Sequence, residues 1–130
     1  MSDYNNFLDT AKNDYAFIQT VKNCGYNNCV AFMCKQCAEK YLKAVFECKN
    51  LWNGSYLQSC QDLYSLASVL EKFGLHTELT MSDYCYLSEL TFVDGPGKYF
   101  RVIDDRDLSI ALELLDKLVA ECIRHIEQNV

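Results

Sequence analysis

The stretch from Ala31 to Lys49, AFMCKQCAEKYLKAVFECK, constrains the fold more than any other part of the chain. Val30, Met33, Cys34, Cys37, Tyr41, Ala44, Val45 and Cys48 recur at three- and four-residue intervals, the spacing that puts side chains on one face of a helix. That face has to be buried along its whole length. Lys35, Glu39, Lys43 and Glu47 follow one another at steps of four on the other side. Such a row predicts an exposed face supported by ion pairs of about 0.2–0.5 kcal/mol each. With one proline and five glycines in 130 residues, the chain has few helix breakers, so its partners are expected to be further helices rather than short strands.

The flanking sequence supplies those partners. Ser2 or Asp3 can cap a first helix over about residues 3–23, with Leu8, Ala11, Tyr15, Ile18 and Val21 on its buried side. Gly25, Asn27 and Asn28 break the pattern before the second helix, expected from Asn28 to Lys49. So short a connection predicts an antiparallel hairpin. Residues 50–58 read as a loop with Trp52, Tyr56 and Leu57 folding back on the core. Ser59 can cap a third helix with Leu63, Leu66, Ala67 and Leu70 inside and Gly74 as its stop. Thr80 or Ser82 can open a fourth through Tyr84, Leu87 and Leu90, reaching about Thr91. Gly95-Pro96-Gly97 lies in a loop, and Asp104 or Asp105 caps a last helix. That helix carries Leu108, Ala111, Leu112, Leu115, Leu118, Val119, Cys122 and Ile126 on its apolar face. The expected architecture is all-α: one domain over residues 1–130, an up-and-down bundle of about five helices led by a long antiparallel hairpin.

Composition narrows the function classes. The net charge of −6 argues against a general polyanion binder, whose affinity rests on Lys and Arg neutralising phosphates. Residues 1–50 hold six Lys against five acids, and residues 51–130 six Lys and Arg against thirteen acids, so a phosphate-binding surface is expected on the second helix rather than the last. Eight cysteines would suggest disulfides in a small secreted chain. The opening Ser2-Asp3-Tyr4-Asn5-Asn6 lacks the basic start and apolar run of a leader, and several cysteines fall on apolar helix faces, where the thiol packs as a small hydrophobe. A reduced, cytoplasmic protein without a membrane span is expected.

The segment Gln36-Cys37-Ala38-Glu39-Lys40-Tyr41-Leu42-Lys43-Ala44 resembles the Q-x-A-E-K-x-L-K-A signature in the second helix of HEPN domains, small all-helical domains associated with nucleotide and RNA biology. The resemblance extends in order along the chain. Gln61-Asp62-Leu63 is similar to the family's H-D-L with Gln for His, and Lys98-Tyr99-Phe100 stands where members often carry R-Y-P. The resemblance implies a helical hairpin, shorter middle helices and a long closing helix. It also implies that a separate minimal nucleotidyltransferase could be the partner, as in toxin–antitoxin pairs.

Catalytic members of that family are metal-independent ribonucleases with Arg four to six residues before His. This chain has His76 and His125 alone; Arg124 adjoins His125 directly, and neither Arg101 nor Arg106 has a His within six residues downstream. Catalysis of the usual family type is therefore not expected, and a ribonuclease would need an unusual constellation around Arg101, Arg106 or His125. Cys34 and Cys37 form a C-x-x-C, but inside one helix, with no second such pair, they read as core rather than as a metal or redox site. No cofactor or metal is expected.

The candidate ligand-binding residues are Gln36, Glu39, Lys40 and Lys43, with Asp62, Lys98, Tyr99 and Arg101 as possible neighbours. Lys40 and Lys43, three apart, can lean towards one anionic group, and Tyr99 can stack on a base. The competing reading makes the charges of this helix a solvated ion-pair row. A non-catalytic domain that binds a nucleotide or RNA-related ligand, or that partners a nucleotidyltransferase, is the leading expectation. A helical homodimerisation module is the alternative, favoured by nine tyrosines, a residue type enriched at interfaces.

Overall fold

A computed structural model describes residues 6–51, 60, 62–89 and 102–128. Within them the chain is all-helical, with five helices and no strand: α1 (Asn6–Val21), α2 (Asn27–Cys48), α3 (Leu63–Lys72), α4 (Met81–Glu89) and α5 (Asp105–Glu127). The stretches expected to hold the Trp52 loop, the Gly95-Pro96-Gly97 turn and the caps Ser2 and Asp3 lie outside the described residues.

The helix ends follow from local chemistry. α3 begins one residue after Asp62, whose carboxylate accepts from the Tyr64 amide at 3.3 Å and the Ser65 hydroxyl at 2.7 Å. Asp62, not Ser59, is the cap, because the apolar stripe starts at Leu63, directly after it. Of the two openings offered for α4, Thr80 is used: its hydroxyl accepts from the Asp83 amide while Asp83 accepts from the Thr80 amide, a reciprocal box. Asp104 caps α5 by accepting from the Asp107 amide at 2.8 Å. Gly74 closes α3 in the left-handed region, with the Leu75 amide on the Leu70 carbonyl and its own on Glu71. Asn50 closes α2 in the same way with φ of 57°.

α2 is the central helix and packs against each of the other four. α1 runs antiparallel to it, since Phe7 lies against Glu47 while Ala11 meets Cys37. α5 begins at the same end as α2: the Asn27 side chain donates to the Ile103 carbonyl and to Asp105, and Asn28 accepts from the Ile103 amide. The core between them holds Ile18, Val30, Tyr41, Leu42, Phe46, Leu66, Leu115 and Leu118. Of the α5 residues expected inside, Leu112 and Ile126 are only partly buried, while Leu114 and His125 join the core.

The central position of α2 corrects one expectation. Glu39 and Lys43 are buried, at 9% and 2% exposure, rather than members of a solvated row. α1 covers the face on which they lie, so a helix with neighbours all round keeps charged residues inside. The cysteine reading agrees with the structure. None of the eight cysteines is joined in a disulfide, and Cys34 and Cys37 are fully buried in the core. Burial pushes both thiols up to about 12, which leaves them protonated and inert at neutral pH.

Candidate functional site

The α1–α2 contact carries a row of polar groups that a hydrophobic interface would not need. Lys40 reaches Asp14 of α1 at 2.6 Å, and Lys43 reaches Glu39 one turn earlier on α2 at 3.0 Å. The Lys43 ammonium stands 5.7 Å from the centre of the Phe7 ring, and the Phe7 amide donates to Glu47 at 3.1 Å. Gln36, one turn before Lys40, is half-buried. Alongside, Tyr15 donates to Asp116 of α5 at 2.6 Å and meets Tyr41 edge to face at 6.4 Å. Burial and the Asp116 carboxylate both disfavour ionisation of the Tyr15 phenol.

The two ion pairs differ in access. The Lys43 side chain is 3% exposed, whereas that of Lys40 is 28% exposed. Lys43 is thus part of the protein interior, and Lys40 is the ammonium that an incoming group could reach. Among the described residues one oxygen of Glu39, Oε1, is buried with no hydrogen-bond partner. A buried carboxylate oxygen without a donor costs free energy.

This row is built by the middle of α2, Gln36 to Ala44, the segment with the Q-x-A-E-K-x-L-K-A pattern. The model of the HEPN domain family matches residues 4–126, nearly the whole chain. The chain belongs to the HEPN domain family. That family is associated with nucleotides and RNA. No curated protein and no solved structure matches the chain.

Of the candidate residues, the HEPN fold pairs Glu39 with Lys43 and directs Lys40 to Asp14. Asp62 is occupied by the first turn of α3, through both of its oxygens. Lys98, Tyr99 and Arg101 lie outside the described residues. Two participants escape a reading by motif. Asp14 sits three residues after Ala11 and four before Ile18, an acid on a buried stripe, which signals the need for a buried partner. His125 sits three residues after Cys122 on the stripe of α5. It is 7% exposed and donates from Nε2 to the His76 carbonyl at 2.6 Å, a latch between α5 and the α3–α4 connection. Arg106, the other described member of the ribonuclease constellation, is exposed at the start of α5, at the far end of that helix from His125.

No group of three or more His, Cys, Asp and Glu side chains with metal-binding geometry occurs among the described residues. No described helix is long and apolar enough to cross a membrane.

Proposed function

We propose that this HEPN domain is non-catalytic and binds a nucleotide or RNA-related ligand on the α1–α2 row, in a protein that partners a separate nucleotidyltransferase. The observation that carries the reading is the accessible ammonium of Lys40, held by Asp14 across the α1–α2 contact. A nucleotide offers phosphate oxygens that compete with Asp14 for the Lys40 ammonium. Gln36, on the same stripe as Lys40, adds an amide that donates and accepts. Lys43 holds Glu39 in place and does not itself touch the ligand.

The division of labour between the lysines sets the test. Removing Lys40 and Lys43 together would confound binding with stability, because Lys43 is buried. Lys40→Ala alone is the clean variant. Calorimetric titration with ATP, with other nucleoside triphosphates and with a short single-stranded RNA should give saturable binding for the parent and none for Lys40→Ala, both folded. A flat titration of the folded parent overturns the reading.

A second reading is a homodimerisation module. Tyr26 and Val102 are 72% and 83% exposed, and each immediately precedes a residue of the clamp between Asn27 and Ile103, so two apolar side chains flank one end of the bundle. Light scattering that gives a monomer at micromolar concentration removes this reading and leaves the first untouched.

A further inference from the structure

A pocket of about 160 Å³ opens between α3, α4 and the 73–80 connection, away from the α1–α2 row. Its walls are fixed before anything enters. The Gly74 turn pins the connection at one end, and the reciprocal Thr80–Asp83 bonds pin it at the other. In between, the buried His125 holds the His76 carbonyl, and the Thr77 and Tyr84 hydroxyls meet at 2.5 Å. A pocket supported in this way resembles ligand sites, which are mostly preformed.

Its chemistry is one-sided. Tyr64, Ser68 and Glu71 recur at steps of four and three on α3, so one helical stripe delivers a ring, a hydroxyl and a carboxylate to the same wall. Leu75, Leu79 and Met81 supply apolar surface opposite. Among the described residues the lining holds one carboxylate, with the His76 ring 3.6 Å from it, and no Lys or Arg. Residues 62–89 carry the acids Asp62, Glu71, Glu78, Asp83 and Glu89 against one Lys, Lys72, one His, His76, and no Arg. We infer that this pocket receives one basic side chain, Arg or Lys, from a partner polypeptide: the alkyl stem lies on the leucines and Met81, and the cationic head sits between the Glu71 carboxylate and the Tyr64 ring.

Size and surroundings select a polypeptide over a free small cation. The volume lies below the roughly 300–1,000 Å³ of sites that enclose a drug-sized molecule, so a single side chain fills it. Met81 at its edge is 58% exposed, and Phe73, just before Gly74 in the chain, is 54% exposed. A free amine would leave both in water, whereas the chain that carries the basic residue covers them.

The test is a titration followed by amide shifts of Thr77, Leu79 and Tyr84. The probes are a short peptide with one central Arg between leucines, the same peptide with citrulline in place of Arg, and N-acetyl-arginine amide. The Arg peptide should bind saturably, with the citrulline peptide and the Glu71→Gln variant each about tenfold weaker, the loss expected for one charge-assisted contact. N-acetyl-arginine amide should be weaker than the peptide. Glu71 is exposed, so its substitution leaves the fold intact, and circular dichroism checks this. Absence of saturable shifts overturns the inference, as does equal binding of the citrulline peptide or by Glu71→Gln. Equal affinity for N-acetyl-arginine amide overturns the polypeptide source.

Discussion

Lys43→Met should be among the most destabilising single substitutions on α2, although lysine is ordinarily a surface residue. The substitution keeps most of the stem but removes the ammonium from a pair whose side chains are 3% and 11% exposed. Glu39 would then keep a buried charge whose Oε1 already has no hydrogen-bond partner among the described residues. Breaking a buried pair from one side costs about 3–5 kcal/mol, a large share of a total stability of about 5–15 kcal/mol. Lys40→Met is the internal comparison: its side chain is 28% exposed and that of Asp14 12%, so water reaches the pair from the lysine side and the cost should be smaller, about 1–3 kcal/mol. The double variant Glu39→Gln, Lys43→Met removes both charges and should recover part of the loss, with a coupling of about 0.5–3 kcal/mol. Urea unfolding gives each value as a midpoint shift at constant slope. If Lys43→Met costs no more than Lys40→Met, the argument from burial is wrong.

Three further outcomes follow from the helix ends and the core. Gly74→Ala should cost about 1–2 kcal/mol by urea unfolding, since its φ is +79° with open space around it, so the penalty is backbone strain without a clash. Asp62→Ala should cost about 1 kcal/mol and Ser59→Ala much less, because Asp62 is the residue that caps α3. Stability should fall as pH rises from about 9 towards 12. Cys34 and Cys37 are held protonated in the folded chain up to about 12, while the unfolded thiols ionise near 9, so the unfolded state loses protons first. Each thiol adds a slope of about 1.4 kcal/mol per pH unit in that window. Cys34→Ala should flatten the decline measured by urea unfolding at several pH values.

The helices were legible because their apolar stripes are long and regular: α2 runs Asn27–Cys48 where Asn28 to Lys49 was expected, and α5 starts at its expected Asp104 cap. The α3 cap was displaced because Ser59 and Asp62 are both good caps, and only proximity to Leu63 decides between them. The charged row of α2 was misread for a deeper reason. A step of four says which residues share a face, but not how many layers cover it, and α2 packs against all four other helices. The motif Gln36–Ala44 marks the helix that carries the Lys40–Asp14 and Glu39–Lys43 pairs. The partner Asp14 and the latch His125 lie on other helices, and their signal was a polar residue on an apolar stripe, which only a tally of each buried face brings out. The Lys98, Tyr99 and Arg101 part of the candidate site falls outside the described residues, so the site as argued rests on α1 and α2.

Amide chemical shifts of the parent protein during addition of ATP test the central claim most directly. Saturable shifts centred on Asp14, Gln36, Glu39 and Lys40, lost in Lys40→Ala, are the expected result. Shifts that are absent, or that fall on α3 and α4 alone, would contradict it.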